Sequence, residues 1–67
     1  MNQEKIGKYI QEKRKENKLT QEQLADKLNV TPMAISNWEN GKRMPDYSII
    51  MNLCDELKLF KIIMLKE

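Results

Sequence analysis

The sequence predicts an all-α domain of four to five short helices, and three observations predict it. Apolar residues recur at helical i, i+3, i+4 spacing in separate stretches, as in Ile6, Tyr9 and Ile10 or Ile49, Ile50 and Leu53. Between those stretches stand capping residues: Thr20 with Gln23, Thr31 before Pro32, and Asn40-Gly41. At 67 residues, 40% hydrophobic and 33% charged, the chain reads as one soluble domain over 1–67 with a thin core.

The first helix runs from Gln3 to Asn17, where Ile6, Tyr9, Ile10 and Lys13/Arg14 share a face. Asn17-Lys18 is a polar break. Thr20-Gln21-Glu22-Gln23 then fits a capping box and opens the second helix, Gln21 to Leu28, with Leu24, Ala25 and Leu28 on its apolar side. Asn29, a residue that tolerates the left-handed conformation, ends it. Thr31 is a good N-cap, and Pro32 suits the first helical position, where its missing N–H costs nothing. The third helix, 32–40, stops at Asn40-Gly41. After Lys42-Arg43-Met44, Pro45-Asp46 reads as the entrance to a fourth helix ending near Leu57 or Lys58. The apolar tail 59–65 has no clear periodicity and fits a fifth helix and an extended segment equally.

Composition excludes several kinds of chemistry. Cys54 is the only cysteine and histidine is absent, so intrachain disulfides, Cys/His zinc sites and Ser-His or Cys-His pairs cannot form. No catalytic residue, metal or cofactor is expected, and carboxylates such as Asp26 and Glu56 read as helix-surface charges. Runs such as Ile62-Ile63-Met64-Leu65 are far shorter than the ~20 residues of a membrane span, and Met1–Lys5 carries no apolar signal core. A cytoplasmic location without membrane contact is expected. A domain this small reaches only about 3–5 kcal/mol of stability unaided, so a partner is expected as well.

The net charge of +2 is unevenly spread. Residues 1–18 carry three more cations than anions, whereas residues 19–41 hold Lys27 against Glu22, Asp26 and Glu39. By charge alone the first helix is either a solvated face or a phosphate-binding stripe. The middle of the chain has no basic field.

The second and third helices satisfy the requirements of two helices crossing at about 90–120° through a short turn. Ala25 is small at the closest approach, Asn29 supplies the left-handed turn, and Ile35 and Trp38 face back toward the second helix. The stretches Leu19-Thr20-Gln21-Glu22-Gln23-Leu24-Ala25, Val30-Thr31, Ile35-Ser36-Asn37-Trp38-Glu39-Asn40-Gly41-Lys42 and Pro45-Asp46 resemble the lambda-repressor/Cro-like helix-turn-helix family, also called the XRE family. The resemblance covers residues 6 to about 59, with the motif at about 20–41. It implies a compact lambda-repressor-like DNA-binding domain whose third helix enters the major groove, commonly as a dimer on a palindromic operator.

Carried over by position, the resemblance implies base contacts from Pro32, Met33, Ser36 and Asn37. Asn37 is the best base reader among them, since its amide can bond adenine N6 and N7 together. Pro32 and Met33 depart from the polar residues usual there and could offer only apolar contact with thymine methyls. Phosphate contacts are implied for Gln21, Thr31, Asn40, Lys42 and Arg43. Arg14 and Glu39 match an ion pair between the first helix and the end of the third, and such a pair, when buried, fixes orientation more than it stabilises. Some of these assignments have a plainer reading: Gln21 as a polar helix start, Met33 as filler, Lys42-Arg43 as an exposed turn, Arg14 and Glu39 as separate surface charges. The tail residues Phe60, Ile62, Ile63 and Leu65 are the expected dimer surface.

Two functions follow. The first is a sequence-specific, double-stranded-DNA-binding transcriptional regulator, a small dimeric repressor of phage or mobile-element type. The alternative is a protein-interaction module, an antitoxin or anti-repressor acting mainly on a partner regulator protein. The modest charge, Pro32-Met33 and the apolar tail motivate that alternative.

Overall fold

The computed structural model describes residues 2–58. They form four helices: α1 Gln3–Glu16, α2 Gln21–Leu28, α3 Pro32–Glu39 and α4 Tyr47–Leu57. None is long and apolar enough to cross a membrane. The tail 59–65, with its dimer residues Phe60, Ile62, Ile63 and Leu65, lies outside the described residues.

Each boundary has a local cause. Asn2 Oδ1 accepts from the Lys5 N–H at 2.8 Å and starts α1. The helix stops at Glu16, one residue before the expected Asn17: Asn17 is its C-cap at ψ 3°, the Asn17 side-chain amide donates to Lys13 O, and the Leu19 N–H reaches back to Arg14 O. Lys18 then takes a left-handed φ of 58°. In α2 the capping box is complete: Thr20 Oγ1 accepts from the Gln23 N–H at 3.0 Å, and Gln23 Oε1 accepts from the Thr20 N–H at 2.8 Å. Asn29 closes that helix at φ 58°.

Thr31 Oγ1 accepts from the Ala34 N–H at 3.2 Å, with Pro32 as the first residue of α3. The helix ends at Glu39 rather than 40, since Asn40 is its C-cap and Gly41, at φ 75°, turns the chain. The expected entrance at Pro45-Asp46 resolves into a buried Pro45, Asp46 as N-cap and Tyr47 as the first helical residue of α4. The Asp46 carboxylate accepts from the Ile49 N–H at 3.0 Å and therefore stands outside the helix it caps.

Helix α3 packs against both α1 and α2, and α2 also packs against α4. The core draws on all four helices through Ile6, Ile10, Leu24, Ala25, Leu28, Ile35, Trp38, Ile50, Leu53, Cys54 and Leu57. Ile49, expected in the stripe of α4, is half-buried at its edge. One face of α3 is thus consumed by the core, and its opposite face is free to carry function.

Candidate nucleic-acid interface

Helix α3 divides along its length and around its axis. Ile35, Trp38 and Glu39 are buried, whereas Thr31, Pro32 and Met33 are exposed and Ser36 and Asn37 are half-buried. Met33 is 67% exposed, an unusual setting for a large apolar side chain. The only charge on α3 is Glu39, so the outward face of this helix is neutral.

The residues after α3 are held by its own end. Asn37 O accepts the N–H of Lys42 at 2.9 Å and that of Arg43 at 3.3 Å, while Trp38 O accepts the Gly41 N–H at 3.1 Å. Asn40 Nδ2 donates to Ser36 Oγ at 3.3 Å. With those backbone donors engaged internally, an anion at this loop meets the exposed side chains of Lys42 and Arg43. They are the only cations between Lys27 and Lys58.

Behind this surface is a polar cluster. Arg14 Nε donates to Glu39 Oε2 at 2.6 Å and Arg14 Nη2 to Glu39 Oε1 at 3.1 Å, a two-pronged pair with side chains 10% and 1% exposed. Arg14 Nη1 reaches Leu19 O at 2.7 Å. Gln21 Nε2 completes the set by donating to Glu39 Oε1 at 3.0 Å. Among the described residues no buried side-chain nitrogen or oxygen lacks a partner. A buried ion pair needs that completeness, because each unmet polar atom costs its full desolvation.

Two contributors had no reading in the sequence. Gly7 lies where α1 crosses the end of α3: a Cβ there would collide with the carbonyl oxygen of Trp38 and stand 2.9 Å from that of Glu39. A glycine inside a helix, in a chain holding only two, was the available signal. Gln3 Nε2 donates to Gly41 O at 2.9 Å and ties the start of α1 to the loop after α3. The structure thus gathers Pro32, Met33, Ser36, Asn37, Asn40, Lys42 and Arg43 on α3 and its following loop. It commits the Thr31 hydroxyl to the α3 cap and the Gln21 amide to Glu39.

Comparison with known proteins bears on the family and the fold. A family model described as helix-turn-helix matches residues 10–59. The chain is 42% identical over 48 residues to multiprotein-bridging factor 1 of Candida albicans, covering 72% of this chain and 32% of that protein. It is 46% identical over 44 residues to YqaE, an uncharacterized HTH-type transcriptional regulator of Bacillus subtilis, covering 66% of this chain and 38% of that one. The chain therefore spans about a third of the length of the curated relatives it matches. Among solved structures, the clp gene regulator ClgR of Corynebacterium glutamicum superposes with a TM-score of 0.84 at 22% identity, over 96% of this chain and 68% of that one. ComR of Streptococcus suis gives the same score and identity over 100% of this chain and 22% of that one. At such identity these two structures speak for the fold alone.

Proposed function

The chain belongs to the XRE-type helix-turn-helix family of DNA-binding transcription regulators, and from that premise we propose that it reads a specific double-stranded operator by placing α3 in the major groove. The observation that carries the proposal is the division of α3: one side is fixed by core and ion pair, while the side bearing Pro32, Met33, Ser36 and Asn37 is outside the core. In this reading Asn37 bonds a base edge, Ser36 supports it, and Met33 and Pro32 lie against thymine methyls. Lys42, Arg43, Asn40 and Thr31 engage phosphates and so position the protein without reading sequence, and Gln21 meets phosphate at the start of α2 through an amide already held on Glu39. A dimer sets two copies of α3 about 34 Å apart on a palindromic site, and the tail residues Phe60, Ile62, Ile63 and Leu65 are proposed to join it. Repression, as a regulator of phage or mobile-element type, is part of the same proposal.

Selection of bound sites from a random DNA pool, followed by fluorescence anisotropy, tests the proposal. Asn37→Ala should lose roughly 1–3 kcal/mol on the selected site and relax one base preference, whereas Lys42→Ala should weaken selected and random duplexes alike and flatten the salt dependence by about one unit per protomer. Equal losses on both duplexes for Asn37→Ala reject it as a base reader.

A second reading has its own support. Relatives of this chain are named multiprotein-bridging factors, and Met33, Met44 and Tyr47 are exposed apolar side chains. A protein-interaction module, an antitoxin or anti-repressor, would use such a surface against a partner regulator. No duplex binding at low salt, with capture of a partner through Met33 or Tyr47, would favour it.

A further inference from the structure

The geometry points to Gln21 as a positioning residue that acts on DNA through Glu39, rather than as an independent phosphate ligand. This inference rests on the operator-binding reading above and deepens it.

Glu39 is the last residue of α3, and its carboxylate is almost wholly enclosed. Three donors hold it: Arg14 Nε on one oxygen, and Arg14 Nη2 with Gln21 Nε2 on the other. They come from two helices, so α3 is fixed against α1 by the guanidinium and against α2 by the amide. The guanidinium alone leaves a rotation about its own bidentate axis, and a third donor from another direction removes it. Through Leu19 O, Arg14 also grips the residue two positions before Gln21. The four groups therefore form one closed ring of contacts across α1, the α1–α2 junction, α2 and α3.

The residue type at 21 follows from this ring. A carboxylate there would oppose Glu39, a cation would compete with Arg14, and asparagine is one methylene shorter than the span to Glu39 Oε1. A primary amide is a neutral donor, and it carries a second N–H. Any phosphate met by Gln21 is then met by an amide already oriented by Glu39. Loss of Gln21 lets the end of α3 rotate, and its effect falls on the fit of Asn37 to its base pair.

The test is a mutant cycle read on DNA, under conditions where circular dichroism shows every variant folded. Gln21→Ala is measured in the wild-type chain and in a chain carrying Arg14→Met with Glu39→Met, which replaces the pair by apolar side chains. The expected result is a loss of about tenfold in the operator-to-random affinity ratio in the wild-type background, the scale of one charge-assisted hydrogen bond. In the second background the loss should be less than about twofold. Equal losses in both backgrounds, or equal losses on operator and random duplex, make Gln21 an independent phosphate ligand and overturn the inference. Should the paired variant fail to fold, the Arg14 Nε–H resonance of the DNA-free protein decides: it shifts in Gln21→Ala if the ring exists and stays in place if it does not. Failure of the wild-type chain to bind any duplex at low salt overturns the operator reading itself, an outcome distinct from all of these.

Discussion

Two helix junctions of this domain are built on different principles. Where α1 meets α3, a bidentate ion pair at 2.6 Å, a glycine at the closest approach and a Gln3–Gly41 hydrogen bond fix the crossing. Where α2 meets α4, Lys27 and Glu56 stand 3.9 Å apart with side chains 47% and 37% exposed, above apolar residues of the shared core. Apolar burial is non-directional and is satisfied by many small rotations. A buried two-pronged ion pair is satisfied by one arrangement. The directional junction holds the helix that carries the half-buried Asn37, and the non-directional one holds the helix that covers the core. The molecule thus places its geometric precision at α3, the helix proposed to read the operator.

The widest gap between the junctions should appear when each loses one partner. Glu39→Ala leaves the Arg14 guanidinium buried without a counter-ion and should cost about 3–5 kcal/mol, enough to unfold a domain of this size. Glu56→Ala should cost under about 1 kcal/mol. Urea unfolding followed by circular dichroism measures both. A loss for Glu39→Ala as small as that for Glu56→Ala would mean that Arg14 finds water when its partner is removed, and the contrast between the junctions would collapse.

A smaller effect sharpens the same contrast. Alanine is ordinarily about 1 kcal/mol better than glycine inside a helix, so Gly7→Ala would stabilise α1 if α1 stood alone. Here the added methyl meets the backbone oxygens of Trp38 and Glu39, which cannot rotate away as a side chain could. The net result should be a loss of about 1–3 kcal/mol, seen as a lower Tm. A raised Tm would show that α1 rides further from α3 than the structure places it.

Local chemistry made most of the fold legible from sequence. Thr20 with Gln23, Asn29, Thr31 with Pro32, and Gly41 each act through neighbours within a few residues, and each stands at a helix end. The core face of α2 and α3 followed from spacing for the same reason. What escaped depends on residues far apart in the chain. Gly7 is explained by Trp38, and the Gln21 amide by Glu39; no local pattern links them. Lys18 adopts a left-handed φ that residue type does not favour, and the break at Asn17-Lys18 was visible only as polarity. The Arg14–Glu39 pairing came through family resemblance, since two charges 25 positions apart carry no spacing signal.

The smallest expected effect concerns the entrance of α4, on the non-directional side of the molecule. The Asp46 carboxyl is held below the usual carboxylate range, first by the Ile49 backbone N–H and then by the Ser48 hydroxyl. A folded-state value below the unfolded one means that the folded chain binds fewer protons, so its stability rises with pH across that interval. The contribution is complete above the ordinary carboxylate value and is lost as the pH falls through the depressed folded-state value. Asp46→Asn keeps a capping oxygen but cannot titrate there. Any stability advantage of the wild type over Asp46→Asn should therefore shrink as the pH is lowered from about 5 to about 2.5. The remaining carboxylates cancel in the difference, so thermal melts of the two chains isolate this cap. A difference that stays constant across the range would show that Asp46 gains nothing from its charge at the helix start, and that its capping oxygen alone serves α4.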